Sequence, residues 1–305
     1  IDTVTTKVTN YSPSAGPVGG LIGEATKTSI SGTTDTKATN INTMVTNVDG
    51  SGPVGGLVGL ATGGNQITNA EKITTNVVNS SPAGSQSTGG LVGRAEKPLN
   101  ELEGLIISKL SASTQVNVTE ENRTQISIAS TSWLSPQVNS PVGGVIGSSE
   151  GSTIESSIFN TEVNRTSLIG LDTQVEARGT KVEGVTSKVF TSNTGGLIGD
   201  SKSDDISQII GTTSVSTEST LDLSVSAQAF RAYFNECTYQ PWFGYYDCRW
   251  EERPGNAQHS SYITALINSG GLIGGSQGTI VNQVELETEV QQQVTKNPIY
   301  LDPSS

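Results

Sequence analysis

One hexapeptide occurs six times in this chain. The copies are Val18-Gly-Gly-Leu-Ile-Gly23, Val54-Gly-Gly-Leu-Val-Gly59, Thr88-Gly-Gly-Leu-Val-Gly93, Val142-Gly-Gly-Val-Ile-Gly147, Thr194-Gly-Gly-Leu-Ile-Gly199 and Ser269-Gly-Gly-Leu-Ile-Gly274. Chance does not place six near-copies in 305 residues. Their first glycines, Gly19, Gly55, Gly89, Gly143, Gly195 and Gly270, are separated by 36, 34, 54, 52 and 75 residues by subtraction. A short unit that lengthens by insertion describes a solenoid whose coils carry loops.

A second element follows each copy. Ile30, Ile67, Ile154, Ile206 and Ile280 lie 10 to 12 residues after the first glycine, and Ile106 holds this place in the third copy, behind an insert at 96–104. Alternating, β-branched text closes the coils at 40–48, 74–78, 125–129, 180–190 and 214–225, with Gly, Asn, Ser and Pro at the turns. Each repeat therefore predicts two or three short strands. Equivalent strands of successive coils stack in parallel about 4.8 Å apart, so six coils rise about 29 Å. The expected fold is all-β, a parallel β-solenoid forming one domain over 1–305, with an insert at 227–260.

Side chains alternate across a strand. One set of positions reads Gly19, Leu21, Gly23, Ala25, and recurs with Leu57, Leu91, Val145, Leu197 and Leu272 at the large position. A small–large–small–small face fits a narrow interior with room for one large residue per coil. The other set holds Ile22, Val58, Val92, Ile146, Ile198 and Ile273, followed two residues on by Glu24, Leu60, Arg94, Ser148, Asp200 or Gly275. That variable position is expected to face water. The β-branched ladder has two readings: an outward apolar stripe if alternation holds, or an inward one if Gly23 and its equivalents bend the strand.

These Gly-Gly-Leu-Ile/Val-Gly units, each with a following x-Ile-x strand, resemble the GLUG motif of secreted and surface-attached repeat proteins. The resemblance covers the hexapeptide core from Val18 to Gly274. It implies a right-handed β-solenoid (a β-helix) and an extracellular scaffold such as an adhesin. It supplies no catalytic residue.

Hydrophobic residues are 33% of the chain and aromatics 5%, while Ser and Thr fill about a quarter. No apolar run approaches the ~18 residues of a membrane helix. Seventeen Lys and Arg against 29 Asp and Glu give a net charge of −12, and the cations form no stripe, so no nucleic-acid partner is expected. Cys237 and Cys248 are close enough to close a small loop in an oxidising compartment; the other reading is two free thiols. His259 is the single histidine, too little for a zinc site. The start at Ile1 suggests either a removed secretory signal or a fragment. Asn117, Asn122 and Asn164 head unhindered glycosylation sequons, and Asn10 and Asn79 head weaker ones with a proline behind.

The residue pattern offers no reactive constellation. Asp204-Asp205 precedes a strand and reads as a turn cap. Glu251-Glu252 sits beside Arg249 and Arg253 as a self-paired cluster, and no serine lies in a nucleophile elbow. No cofactor and no catalysis are expected. Threonines such as Thr26, Thr28, Thr34, Thr36, Thr212 and Thr213 keep no fixed offset from the glycines, so no outward threonine lattice follows. Most aromatics gather in 227–260, including Trp242, Phe243, Tyr245, Tyr246 and Trp250. This segment is read either as a disulfide hairpin presenting rings, or as a mini-core folded over a solenoid face.

An uncapped repeat exposes strand edges at both ends. The leading expectation is an extracellular, non-enzymatic fibre subunit that stacks head to tail on other copies of itself. The alternative is an adhesin that binds glycan or protein through the aromatic insert. A polysaccharide-active β-helix enzyme is the third reading.

Overall fold

A computed structural model describes residues 3–12, 16–32, 40–80, 87–101, 103–128, 133–134, 137–240, 245–297 and 300–302. All regular structure among them is β, and the chain is a parallel β-solenoid. Each coil enters on a short strand ending at the first glycine: Val18–Gly19, Val54–Gly55, Thr88–Gly89 and Val142–Gly143, then the ends of Lys181–Gly195 and Asn256–Gly270. It turns at Gly-Leu into a five-residue strand, Ile22–Thr26, Val58–Thr62, Val92–Glu96, Ile146–Glu150, Ile198–Lys202 or Ile273–Gln277. It turns again into the long face. There Thr3–Asn10, Asn40–Asn47, Gln66–Asn79, Ile106–Ile128, Thr153–Arg178, Asp205–Phe230 and Ile280–Lys296 lie side by side in that order, all parallel. The six hexapeptides stand directly over one another, with Gly19 beside Gly55, Gly55 beside Gly89, and so on to Gly195 beside Gly270.

The corner explains why alternation fails in the hexapeptide. In five successive pairs of coils, two consecutive amides converge on one carbonyl of the next coil. Leu57 and Val58 both donate to Leu91 O at 2.8 and 3.0 Å, and Val145 and Ile146 both donate to Leu197 O at 2.8 and 3.0 Å. The chain curls around that carbonyl and sends both side chains inward. Val58, Val92, Ile146 and Ile198 are buried in the same cluster as Leu57, Leu91, Val145 and Leu197, while Leu21, Ile22, Leu272 and Ile273 at the ends are half-buried against it. The β-branched ladder is thus inward, and the outward apolar stripe is absent. Each buried Leu or Ile of this double column contributes about 1.5–3 kcal/mol. The small column is also inside: Ala25, Ala61, Ala95, Ser149 and Ser201 are buried.

Both leading glycines are needed for close approach. A Cβ on Gly143 would stand 1.9 Å from the carbonyl oxygen of Ile146 across the corner, and one on Gly144 would stand 2.0 Å from Gly196 O in the next coil. Beneath each second glycine lies a threonine from the long face, and these threonines form an unbroken ladder: Thr6, Thr43, Thr75, Thr114, Thr161, Thr213 and Thr288. From the third to the sixth member the hydroxyls donate to the second-glycine carbonyl of the next coil: Thr75 to Gly90 O at 2.7 Å, Thr114 to Gly144 O at 2.5 Å, Thr161 to Gly196 O at 2.7 Å and Thr213 to Gly271 O at 2.8 Å. Two residues on, Val8, Val45, Val77, Val116, Val163, Val215 and Val290 form a parallel valine ladder.

The long strands run up to 26 residues, where short ones were expected. Each bends where one residue takes the left-handed conformation: Asn69, Lys109, Ser156, Gln208 and Gln283 have φ between 49° and 55°. Just before the bend, Ile30, Ile67, Ile107, Ile154, Ile206 and Val281 align. The third and sixth members are therefore Ile107 and Val281, not Ile106 and Ile280. Both places carry two adjacent apolar residues, and a two-residue period cannot choose between them. Beyond the narrow core the long strands continue over Lys181–Gly195 and Asn256–Gly270, forming a two-layered blade with its own small core of Ile128, Val175, Ala177 and Val182.

Candidate interaction surfaces

The aromatic segment contains one antiparallel hairpin, Ala232–Gln240 paired with Tyr245–Arg253. Its flanks, 227–230 and 256–260, belong to the parallel sheets. Cys237 and Cys248 face each other across the pair and are joined as a disulfide. Alternation sorts the hairpin into two faces. Tyr233, Asn235, Tyr239, Tyr246, Trp250 and the disulfide share one; Trp250 is 70% and Tyr246 67% exposed, and the Tyr239 and Tyr246 rings stand 5.1 Å apart. The opposite face roots the hairpin. A Cβ on Gly179 would come within 2.4 Å of the Phe234 ring and 2.8 Å of Ala232 Cβ, so the first hairpin strand rests on that turn. Among the described residues of the segment, Tyr233, Tyr239, Tyr246 and Trp250 present their rings to solvent rather than packing as a mini-core over the solenoid. Trp242 and Phe243 lie outside the described residues, and Tyr245 is placed by its backbone pairing with Gln240.

The five sequon asparagines have unequal environments. Asn79 is buried and donates to Thr88 Oγ1 at 2.8 Å; it also accepts at 2.8 Å from Asn47, which in turn accepts from Asn10 at 2.7 Å. Asn122 is buried as well. A glycan on Asn79 or Asn122 is incompatible with this packing. Asn117 and Asn164 are half-buried neighbours on the outer side of the long face, where Asn164 donates to Asn117 at 3.2 Å and to Glu162 at 2.9 Å.

Inside the blade lies a polar seam that the sequence did not announce. Arg165 and Glu120 form a buried ion pair. Arg165 also donates to Ser140 O at 2.6 Å, Ser167 Oγ at 3.2 Å and Thr194 Oγ1 at 3.3 Å, and lies over the Phe190 ring. Desolvation lowers its pKa despite Glu120. Lys188 is fully buried; its ammonium donates to Asn122 O, to Asn122 Oδ1 at 2.7 Å and to Gly170 O at 3.0 Å. Burial, aided by the Arg123 charge and opposed by Asp172, pushes its pKa down to about 8. His259 is held by Thr186 Oγ1 at 2.9 Å, and burial lowers its pKa. Asp204 caps a corner as expected: it accepts from Ser152 N at 2.7 Å, Ser149 Oγ at 3.0 Å and Ser201 Oγ at 2.5 Å. Its burial still raises the carboxyl pKa.

The two edges of the stack leave interior columns uncovered. On the last level Val290, Val294, Val281 and Ile280 are exposed, and Leu272, Ile273, Val284 and Leu286 are half-buried. On the first level Val8, Leu21 and Ile22 are half-buried in the same columns. Lys7 faces outward on the first level; Glu285, Glu287 and Glu289 are exposed on the last.

Fold and surfaces thus define a parallel β-solenoid with open edges and a projecting disulfide-closed aromatic hairpin. Compared with known proteins, the chain matches no family model, no curated protein and no solved structure. Among the described residues no helix is long and apolar enough to cross a membrane, and no three His, Cys, Asp or Glu side chains gather as a metal-binding group.

Proposed function

We propose that this chain is an extracellular structural protein, a subunit that stacks head to tail on further copies of itself to build a filament. The observation carrying this reading is that both edges show the same inward columns, so one edge is a template for the other. Continuing the threonine ladder sets Thr288 beside Thr6 of the next copy and Val290 beside its Val8. The same register brings Lys7 against Glu289, next to Glu287, so charge as well as apolar pattern is complementary. A heterologous contact of this kind extends without closing. The disulfide suits an oxidising compartment outside the cell, and the likeness to GLUG repeats points the same way.

Sedimentation and negative-stain imaging over a concentration series test the proposal. The wild-type chain is expected to elongate. Val290→Arg, which puts a charge into an exposed end column, is expected to stay monomeric and folded. A wild-type chain that remains monomeric throughout overturns the reading. The exposed ring face of Tyr233, Tyr239, Tyr246 and Trp250 favours a second reading, an adhesin that stacks these rings on sugar or on a protein partner. Tyr239→Ala with Trp250→Ala separates the two, because an adhesin loses ligand while its assembly state is unchanged.

A further inference from the structure

Lys188 and Asn122 meet inside the blade, projecting inward from different sheets, 66 residues apart in the chain. Lys188 is fully buried and Asn122 is 8% exposed. Lys188 Nζ is 2.7 Å from Asn122 Oδ1. With a C=O bond of about 1.23 Å, Nζ therefore lies no more than about 3.9 Å from the carboxamide carbon, within reach of a near-attack approach. Phe190, the next inward residue on the strand of Lys188, and Ile169 and Leu171 on the strand paired with that of Asn122 are fully buried, so the pair is walled by apolar side chains. On the strand of Asn122, two residues back and on the same inward side, Glu120 is buried with its Oε2 lacking a hydrogen-bond partner.

We propose that Lys188 and Asn122 join in an intramolecular isopeptide bond that clamps the two layers of the blade. The reaction balances without an oxidant or a co-reactant. Lys188 gives up its ammonium proton to solvent as the blade closes over it, since desolvation favours the neutral amine. The Nζ lone pair then attacks Asn122 Cγ, and the carbonyl π pair moves onto Oδ1. A proton passes from Nζ to Nδ2, with the Glu120 carboxylate as its relay. Oδ1 re-forms its double bond, the Cγ–Nδ2 bond breaks, and ammonia leaves. Dilution of the ammonia makes the step irreversible. Because Asn122 also heads a sequon, the proposal assigns its side chain to the cross-link and not to a glycan. The bond forms within one chain and does not depend on how the edges assemble.

Intact-mass measurement of the full chain, produced in a host that does not glycosylate and with the disulfide reduced, tests the proposal. The wild-type protein is expected to be lighter than its sequence mass by one ammonia. Proteolysis is expected to yield one branched peptide containing both Asn122 and Lys188. Asn122→Ala and Lys188→Met are expected to show their full sequence masses, and Glu120→Gln to lose ammonia more slowly than wild type. A wild-type chain at its full sequence mass, with Asn122 and Lys188 recovered in separate linear peptides, overturns the proposal. That result rests on the unmodified chain, so it stands whether or not a variant folds.

Discussion

Replacing Gly144 by alanine is the sharpest test of how the coils are held. An ideal Cβ there lies 2.0 Å from the carbonyl oxygen of Gly196 and 2.6 Å from Thr161 Cβ. The first obstacle is backbone of the next coil and cannot swing aside, so the coils must part by about 1 Å of their ~4.8 Å spacing. Overpacking of this kind costs about 1–3 kcal/mol. Displacing Thr161 also removes the hydroxyl that serves Gly196 O at 2.7 Å, and an unserved buried carbonyl adds about 1–3 kcal/mol. The stiffer unfolded chain returns about 0.4–1 kcal/mol. The expected net loss is about 1–6 kcal/mol. Gly64 provides the control, since a Cβ there meets nothing within 4 Å and no positive φ forbids it. Urea unfolding followed by circular dichroism gives the comparison. Amide exchange at Val145 and Leu197 shows whether the damage sits at this corner, as a stack of coils need not unfold in one step. If Gly144→Ala and Gly64→Ala unfold within about 0.5 kcal/mol of each other, the corner argument is wrong.

Further outcomes follow from the polar interior. Arg165→Leu leaves Glu120 buried and uncompensated and is expected to destabilise by about 3–5 kcal/mol, whereas Arg165→Leu with Glu120→Leu recovers most of the loss; a double-mutant unfolding cycle reads this. Asp204→Asn is expected to leave the protein as stable or more stable at neutral pH. Its folded carboxyl pKa is raised, so the ionised form opposes folding above that pKa, and Asn65 already fills the same corner with an amide, accepting from Thr28 N at 2.8 Å. In Asn122→Ala, where Lys188 keeps its amine, the depressed folded pKa means that the unfolded chain binds more protons above about pH 8. Stability should therefore rise from there toward the ordinary lysine range of about 10.4, relative to Asn122→Ala with Lys188→Met. Lys109→Gly, at an exposed left-handed bend, is expected to stabilise by up to about 1 kcal/mol in the same urea assay.

The stacking of coils was legible because glycine cannot be replaced where two backbones nearly touch, and that demand recurs at every corner. The threonine ladder met the same demand without being legible. Its members follow the second glycine by 23 residues at Thr43 but by 17 at Thr161, Thr213 and Thr288, because loops and bends of varying length intervene. Two consecutive inward residues at Leu57 and Val58 defeated strict alternation, since a corner in which two amides share one carbonyl leaves no mark on hydropathy. The hairpin was readable from its cysteines and clustered rings. The seam of Glu120, Arg165, Asn122 and Lys188 was not, because its members are 66 residues apart or come from different coils, and each alone resembles an ordinary surface residue.

Electron cryo-microscopy of the full chain at high concentration reaches furthest into the functional account. Seven levels on the long face, at about 4.8 Å each, predict filaments whose axial rise per subunit is about 34 Å, with strands running across the axis and the long-face strands evenly spaced through each junction. Particles that stay single at every concentration, or that associate through the ring-bearing hairpin with their edges free, contradict it.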